Sequence, residues 1–123
     1  MERTKIKSFT DLLAWKEGHK LVLLVYEAVK NFPANERFGL TIQIARAAIS
    51  ITSNTAEGFS RSSKKEKVFF YRVALGSLTE LQNQLVIARD LGYIDGAIFT
   101  KLANQSVLVG KLIQGLIKSA KNY

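Results

Sequence analysis

The chain has 123 residues, the length of one domain with enough material for a core but none for a second. Hydrophobic residues make up 47% of it and proline occurs once, so long uninterrupted helices are expected. Cysteine is absent, which excludes disulfides, thiolate nucleophiles and thiolate metal sites and agrees with a reducing cytoplasm. The formal net charge of +8 makes nucleic acid the first candidate among binding partners.

The first predicted helix covers residues 10–32, with Ser8 or Thr10 as its cap, and ends before Pro33, which disfavours helical geometry in the preceding residue. The only histidine, His19, lies on its main apolar stripe. One histidine cannot build a metal site, so a core or interface role is expected for it. The main stripe consists of Leu12, Trp15, Val22, Tyr26 and Val29, and a second stripe consists of Leu21, Leu24 and Ala28.

The second predicted helix covers residues 36–57, with Asn35 as its cap and Gly58 as its stop in the left-handed conformation. It contains the first of two polar strings that interrupt otherwise apolar stretches, Ser50-Ile51-Thr52-Ser53-Asn54-Thr55-Ala56-Glu57-Gly58. Solvated helix faces usually carry Lys and Glu, whereas this string carries small hydroxyls, one amide and one carboxylate. That composition suits close contact with another helix and internal hydrogen bonds.

The third predicted helix covers residues 64–91, begins with the capping box Ser63-Lys64-Lys65-Glu66 and ends at Gly92. It contains the second polar string, Gly76-Ser77-Leu78-Thr79-Glu80-Leu81. If the second and third helices form a hairpin, the polar strings face each other and an ion pair between Arg46 and Glu80 is expected. Because no nucleophile in the strings has a base beside it, they are interpreted as packing and register elements rather than as a catalytic site. The residues expected at this contact are Arg46, Ser50, Asn54, Glu57, Gly58, Ser77 and Glu80.

The fourth predicted helix covers residues 96–121, has Asp95 as its cap and places apolar residues at strict three-four spacing. Short connections between long helices predict an all-α, antiparallel, up-down-up-down four-helix bundle in a single domain, residues 1–123. The longest purely apolar run, from Leu21 to Tyr26, is six residues. That run is too short to cross a bilayer, and no export signal is visible, so a cytoplasmic protein without a membrane partner is expected.

The densest positive segment runs from Arg61 to Arg72 and contains one acid, Glu66. Lys and Arg bind phosphate oxygens, and exposed aromatic rings stack on unpaired bases, so the segment is a candidate site for RNA or DNA. One of its cations, Arg61, Lys64 or Lys65, is expected to compensate Glu57. The alternative is that the cations only solubilise the helix and that the aromatic residues, Phe59, Phe69, Phe70 and Tyr71, belong to the core. The predicted nucleic-acid-binding residues are Arg61, Lys64, Lys65, Lys67 and Arg72, with a secondary patch of Lys101, Lys111, Lys118 and Lys121.

Several segments between Phe9 and Leu116 together form a specific pattern. They are Phe9-Thr10-Asp11-Leu12 with Trp15, Phe32-Pro33 with Glu36, Gln43-Ile44-Ala45-Arg46-Ala47-Ala48, Ser50-Ile51, Asn54-Thr55-Ala56-Glu57-Gly58, Gly76-Ser77-Leu78 with Glu80-Leu81, and Leu91-Gly92-Tyr93-Ile94. With these segments the chain resembles the four-helix bundle family encoded in bacterial large-subunit ribosomal RNA intervening sequences. That family also includes the accessory variability protein of diversity-generating retroelements.

The resemblance implies an antiparallel bundle that assembles into a ring, commonly a homopentamer. It also implies no known catalytic activity and a basic surface able to bind nucleic acid. We therefore expect a protein that is not an enzyme, has no catalytic residues, cofactor or metal, and has copies of itself and RNA or DNA as partners. The alternative is a purely structural or protein-interaction scaffold, such as an accessory subunit of a reverse transcriptase ribonucleoprotein.

Overall fold

The computed structural model describes residues 5–122, which contain four helices and no strands. Residues 1–4 and 123, the ends of the predicted domain, lie outside the described residues. The all-α class and the number of helices are confirmed. Over the described range, none of the helices combines the length and the hydropathy that crossing a membrane requires. The helices are α1 (Leu13–Val29), α2 (Leu40–Ser60), α3 (Lys64–Asp90) and α4 (Gly96–Lys121), with one-turn 3-10 helices at Phe9–Asp11 and Ala34–Glu36.

A hydrophobic core lies between the four helices. Helix α1 packs against α2 and α4, and α3 packs against the same two helices, so each helix buries two flanks. The large aliphatic side chains at the centre are fully buried, which makes this core the main source of stability. They include Leu21 from α1, Ile44 and Ile51 from α2, Leu81 and Leu85 from α3, and Leu102 and Ile113 from α4.

The side of α1 that faces the core differs from the predicted main stripe. Trp15 is half-buried, and His19 is exposed, with its imidazole stacked on the Trp15 indole at a centroid separation of 4.8 Å. The expected core role of His19 is therefore wrong, and the expected interface role stays a prediction. Small residues allow a closer approach of α1 to α2, since a Cβ on Gly18 would lie only 3.0 Å from Thr52 Cγ2. The buried residues of α1 are Ala14, Gly18, Leu21, Val25 and Ala28.

The ends of α1 and the start of α2 also differ from the prediction. Leu12 has an extended conformation, so Ser8 caps a separate turn and α1 begins only at Leu13. At its other end α1 stops at Val29 rather than at residue 32. The turn Ala34–Glu36 is likewise separate from α2, and the prediction that Asn35 caps α2 is wrong.

The predicted role of Gly58 is wrong as well. Helix α2 continues through Gly58 to Ser60, and among the described residues only Gly92 has a positive φ, 79°, just after α3 as predicted. Gly58 is required by close packing instead. A Cβ at this position would lie 2.6 Å from Cε1 of Tyr71, a residue that is 3% exposed. The Tyr71 ring therefore rests directly on the backbone of α2.

The predicted caps of α3 and α4 are confirmed. The Ser63 hydroxyl accepts a hydrogen bond from the Glu66 N–H at 3.1 Å, and Asp95 Oδ1 accepts one from the Ile98 N–H at 2.8 Å. In the box at the start of α3, the Glu66 carboxylate faces the Ser63 hydroxyl at 3.3 Å rather than the Ser63 backbone. Each side chain satisfies a donor that a helix start leaves unpaired.

Glu36 joins the connection before α2 to the connection before α4. The Tyr93 hydroxyl donates to Glu36 Oε2 at 2.8 Å, and Glu36 Oε1 accepts from the Leu40 N–H at 3.2 Å. Gly39, the capping residue of α2, has no side chain that could take this role. The two hydrogen bonds, that of Tyr93 first, hold the pKa of Glu36 below its usual value, and the bond to Glu36 raises the pKa of Tyr93.

Replacement of Tyr93 by phenylalanine is expected to weaken the dependence of stability on acid pH. Because the pKa of Glu36 is lower in the folded chain, its carboxylate contributes stability that is present above the unfolded pKa and is lost as the pH falls through the folded pKa. Without the hydroxyl, the pKa of Glu36 returns toward its usual value and less stability is lost. Urea unfolding above and below the unfolded pKa measures the difference.

The control for this prediction is Tyr26→Phe, at an exposed tyrosine of α1. It removes a hydroxyl elsewhere and should leave the pH dependence as it is in the wild type. Equal pH dependence in the wild type and in Tyr93→Phe would contradict the assigned role of the hydrogen bond to Glu36.

Candidate nucleic-acid interface

An open groove of about 620 Å³ beside the first turns of α3 collects four cations. None of the described residues that line it is acidic. Within residues 5–122, no three His, Asp or Glu side chains converge as a metal ion would require. We call the open groove the basic groove, lined by Lys64, Lys65, Val68, Phe69, Arg72, Val73 and Lys121.

The spacing along α3 brings cations and an aromatic ring to one face. Lys65, Phe69 and Arg72 follow each other at four and three residues, so their side chains share a face of the helix. All three are exposed, and the Phe69 ring is 61% exposed. Lys121 joins them from the last turn of α4. Cations beside an exposed ring suit a phosphate chain with unpaired bases.

Arg61 does not line the basic groove, because its side chain pairs with other residues of the same chain. Its guanidinium lies 3.4 Å from the Glu57 carboxylate and 3.5 Å from that of Glu66, and its Cζ is 4.7 Å from the centre of the Phe70 ring. The expected compensation of Glu57 by Arg61 is confirmed. A phosphate would have to compete with two carboxylates for this arginine.

Lys67 is also occupied within the chain. Its Nζ donates to the Phe59 carbonyl at 2.7 Å and to the Gly58 carbonyl at 3.4 Å, and it lies 5.5 Å from the centre of the Phe59 ring. These carbonyls belong to the last turn of α2, where helix carbonyls lack partners within the helix and the helix dipole favours a cation. Lys67 thus caps α2.

The structure therefore brings together three of the five predicted nucleic-acid-binding residues, Lys64, Lys65 and Arg72. It adds Lys121, which the sequence placed in a secondary patch because nothing local indicates that the end of α4 lies beside the start of α3.

The aromatic residues of this segment divide between core and surface. Tyr71 is buried, and burial raises the pKa of its hydroxyl. Phe59 and Phe70 are half-buried and Phe69 is exposed. The core interpretation is confirmed for Tyr71 and wrong for Phe69, which is the ring available for stacking.

The two polar strings face each other across α2 and α3, as predicted. The hydroxyl oxygens of Ser50 and Ser77 lie 2.7 Å apart. Asn54 Nδ2 donates to the Ser50 carbonyl at 2.8 Å and to the Ser50 hydroxyl at 3.1 Å. All three residues are half-buried. A hydrogen-bonded chain across the contact penalises any shift of one helix along the other, because such a shift would leave these groups unpaired.

The expected ion pair between Arg46 and Glu80 is not formed, which corrects that prediction. Both residues are exposed, and neither takes part in an ion pair with any residue that the structure describes. Glu80 Oε1 accepts instead from Gln84 Nε2 at 3.2 Å. In water a single exposed pair gains little, so nothing in the isolated chain draws the two side chains together.

A family model described as 23S rRNA-intervening sequence protein matches residues 10–115 of the chain. Among solved structures, a protein of unknown function from the S23 ribosomal protein family of Bacteroides thetaiotaomicron VPI-5482 is similar in fold, with a TM-score of 0.77 and 21% sequence identity. The similarity covers 86% of this chain and 99% of that chain. No curated protein sequence matches the chain.

Proposed function

We propose that this chain, which belongs to the 23S rRNA-intervening sequence protein family, is a noncatalytic bundle that assembles with copies of itself and binds RNA or DNA. The family match confirms the resemblance and lies within the range from Phe9 to Leu116 that carried it. The observation that carries the binding proposal is the basic groove.

Charge and exposure in the basic groove support nucleic acid as the ligand. Its four cations have no carboxylate among the lining residues to neutralise them, and Phe69 offers a ring face to a base. The formal net charge of +8 adds a long-range attraction for any polyanion. Such contacts bind phosphate groups and stack on base faces but do not hydrogen-bond to base edges. Binding without sequence selectivity is therefore proposed.

The proposed arrangement of the helices is antiparallel, up-down-up-down. Its support is that Ser50 contacts Ser77 while Gly58, two turns further along α2, approaches Tyr71, which lies earlier along α3. The proposed assembly is a ring, with five copies as the number that the resemblance implies. A ring presents several basic grooves to one strand and raises apparent affinity through avidity. The proposed location is the cytoplasm.

A scaffold without nucleic-acid binding is the alternative function. The observation that favours it is apolar surface outside the core, for example Tyr26 and Phe38, both of which are exposed. Exposed aromatic side chains of this kind often mark contacts with other proteins, such as a component of a reverse transcriptase ribonucleoprotein. In that case the positive charge serves only solubility.

Fluorescence anisotropy with structured RNA and with single-stranded DNA distinguishes the two functions. Binding is expected at low salt and should weaken steeply as salt rises, because phosphate contacts release counterions. Four groove cations predict a slope of about −3 in log affinity against log salt for one groove on a single strand. No binding to either probe at low salt would overturn the nucleic-acid proposal and favour the scaffold.

A further inference from the structure

A second surface, on the outer side of α2 and α3, carries two opposite charges, Arg46 and Glu80. Arg46 lies one turn before Ser50 and Glu80 lies one turn after Ser77, so both are neighbours of the hydrogen bond that joins the two helices. Both are exposed, and within residues 5–122 neither forms an ion pair. We call the outer surface around these two residues the α2–α3 face.

Aliphatic side chains flank both charges on this face. They lie one turn to either side of Arg46 and two turns to either side of Glu80, which places them on the same surfaces of the two helices. Each is between 37% and 41% exposed, so a partner could bury all four around the charges. The four residues are Ile42, Ile49, Ile87 and Val73, the last of which also lines the adjoining end of the basic groove.

A buried acceptor next to Glu80 lacks a donor. Gln84 is 7% exposed and donates through Nε2 to Glu80, while its Oε1 is buried without a hydrogen-bond partner. Buried polar atoms are rarely left unpaired, because the loss of water is then uncompensated. Gln84 holds the Glu80 carboxylate from inside the chain, and the exposed carboxylate stays accessible to a guanidinium from outside, whose N–H donors lie in one plane.

The chain itself contains the complementary group, Arg46, which does not pair with Glu80 in the same molecule. Gly76, one turn before Glu80, adds room for a close approach, since a Cβ there would meet nothing within 4 Å. Two copies that each carry +8 repel each other unless opposite charges meet where they touch. A second copy supplies a cation for Glu80 and an acid for Arg46.

We propose that the α2–α3 face is a contact between copies of this chain, in which Arg46 of one copy binds Glu80 of its neighbour. The inference rests on the proposed self-assembly and identifies the surface through which it occurs. The flanking aliphatic side chains exclude water from the pair, which strengthens it relative to an exposed pair.

Charge reversal tests the contact by light scattering. Arg46→Glu and Glu80→Arg each place like charges together and are expected to reduce the mass to that of the single chain, with helix content unchanged by circular dichroism. The double variant Arg46→Glu/Glu80→Arg is expected to assemble again. A mixture of the two single variants should also form complexes larger than one chain, because the acid introduced in one copy meets the base introduced in the other. The control Lys20→Glu, at an exposed site on α1, should keep the wild-type mass.

Each failure has a distinct meaning. Unchanged mass in both single variants of an assembling wild type would overturn this face while self-assembly stands. Rescue in the double variant but not in the mixture would place the pair within one chain and would also overturn the inference. A wild-type chain that stays single at high concentration would overturn the proposed self-assembly itself.

Discussion

Reversal of three groove cations, Lys64→Glu/Lys65→Glu/Arg72→Glu, is expected to lower the affinity for single-stranded RNA by roughly 100-fold or more at low salt. The three side chains line the basic groove and are exposed, so each replacement removes a cation that would bind phosphate and adds a repulsive charge. The slope of log affinity against log salt should also become shallower by about 0.7 for each cation replaced. Anisotropy titrations across a salt series measure both quantities.

A matched control distinguishes the effect of the groove cations on affinity from the effect of the overall net charge. Lys7→Glu/Lys16→Glu/Lys20→Glu changes three exposed lysines, two in α1 and one in the segment before it, all outside the groove and outside the secondary patch. In both variants three replacements that each remove two charge units take the formal net charge from +8 to +2. Equal losses of affinity would mean that overall charge, not the groove, governs binding. Full affinity in the groove variant would move the site elsewhere.

The groove variant leaves Lys67 and Arg61 unchanged, because both stabilise the fold. Reversal of Lys67 would remove the donor from the last carbonyls of α2, and reversal of Arg61 would leave Glu57 and Glu66 without their cation. A variant that includes them would confuse impaired binding with impaired folding. Their exclusion makes a decrease in affinity interpretable.

Replacement of Gly58 by alanine is expected to lower the free energy of unfolding by about 1 to 3 kcal/mol. In an open helix the same change would stabilise by about 1 kcal/mol, because alanine is the better helix former. Here the new methyl group would lie 2.6 Å from Cε1 of the buried Tyr71 ring and 3.3 Å from the Lys67 carbonyl oxygen. Neither neighbour moves easily, so overpacking outweighs the helix preference. Urea unfolding measures the change.

Two further variants identify the cause. Gly115→Ala lies in α4, where a Cβ meets nothing within 4 Å, and should stabilise the chain by about 0.5 to 1 kcal/mol. Tyr71→Leu removes the ring that the methyl group would strike, so Gly58→Ala should cost less in that background than in the wild type. Additive costs in the double variant would show that Tyr71 is not the obstacle.

Local signals predicted those features of the fold that depend on a few neighbouring residues. Ser63, Asp95 and Gly92 mark the ends of α3 and the start of α4 correctly, because each acts on backbone groups within one turn. The facing polar strings were also predictable, since a hairpin between adjacent helices leaves little choice of register.

Features that depend on competition between alternatives were not predictable. Helix α1 is apolar around much of its circumference, so the sequence allows either stripe to face the core. The approach of Gly18 to Thr52 decides in favour of the small residues and leaves His19 outside. Helix α2 begins at Leu40, four residues later than predicted, and Glu36 instead accepts a hydrogen bond from Tyr93, 57 residues away in the chain, which no local pattern indicates.

The candidate site was predicted in part for the same reason. A run of cations identifies where positive charge is dense, but not which cations remain available. The side chains of Lys67 and Arg61 both lie at the end of α2. Lys67 donates to a backbone carbonyl there and Arg61 pairs with a carboxylate, so both cations already have partners within the chain. Only the tertiary structure shows that Lys121, at the end of α4, lines the groove beside the first turns of α3.

The bonds from Lys67 to the end of α2 have a further consequence for recognition. They fasten the first turns of α3 to the neighbouring helix without engaging the side chains that line the groove. In the proposed function this attachment would preorganise the basic groove, and the conformational entropy lost on association would fall mainly on the nucleic acid. A flexible, unstacked strand would lose more conformational entropy on binding than a rigid duplex. The temperature dependence of the affinity would consequently differ between the two ligands, although both meet the same groove.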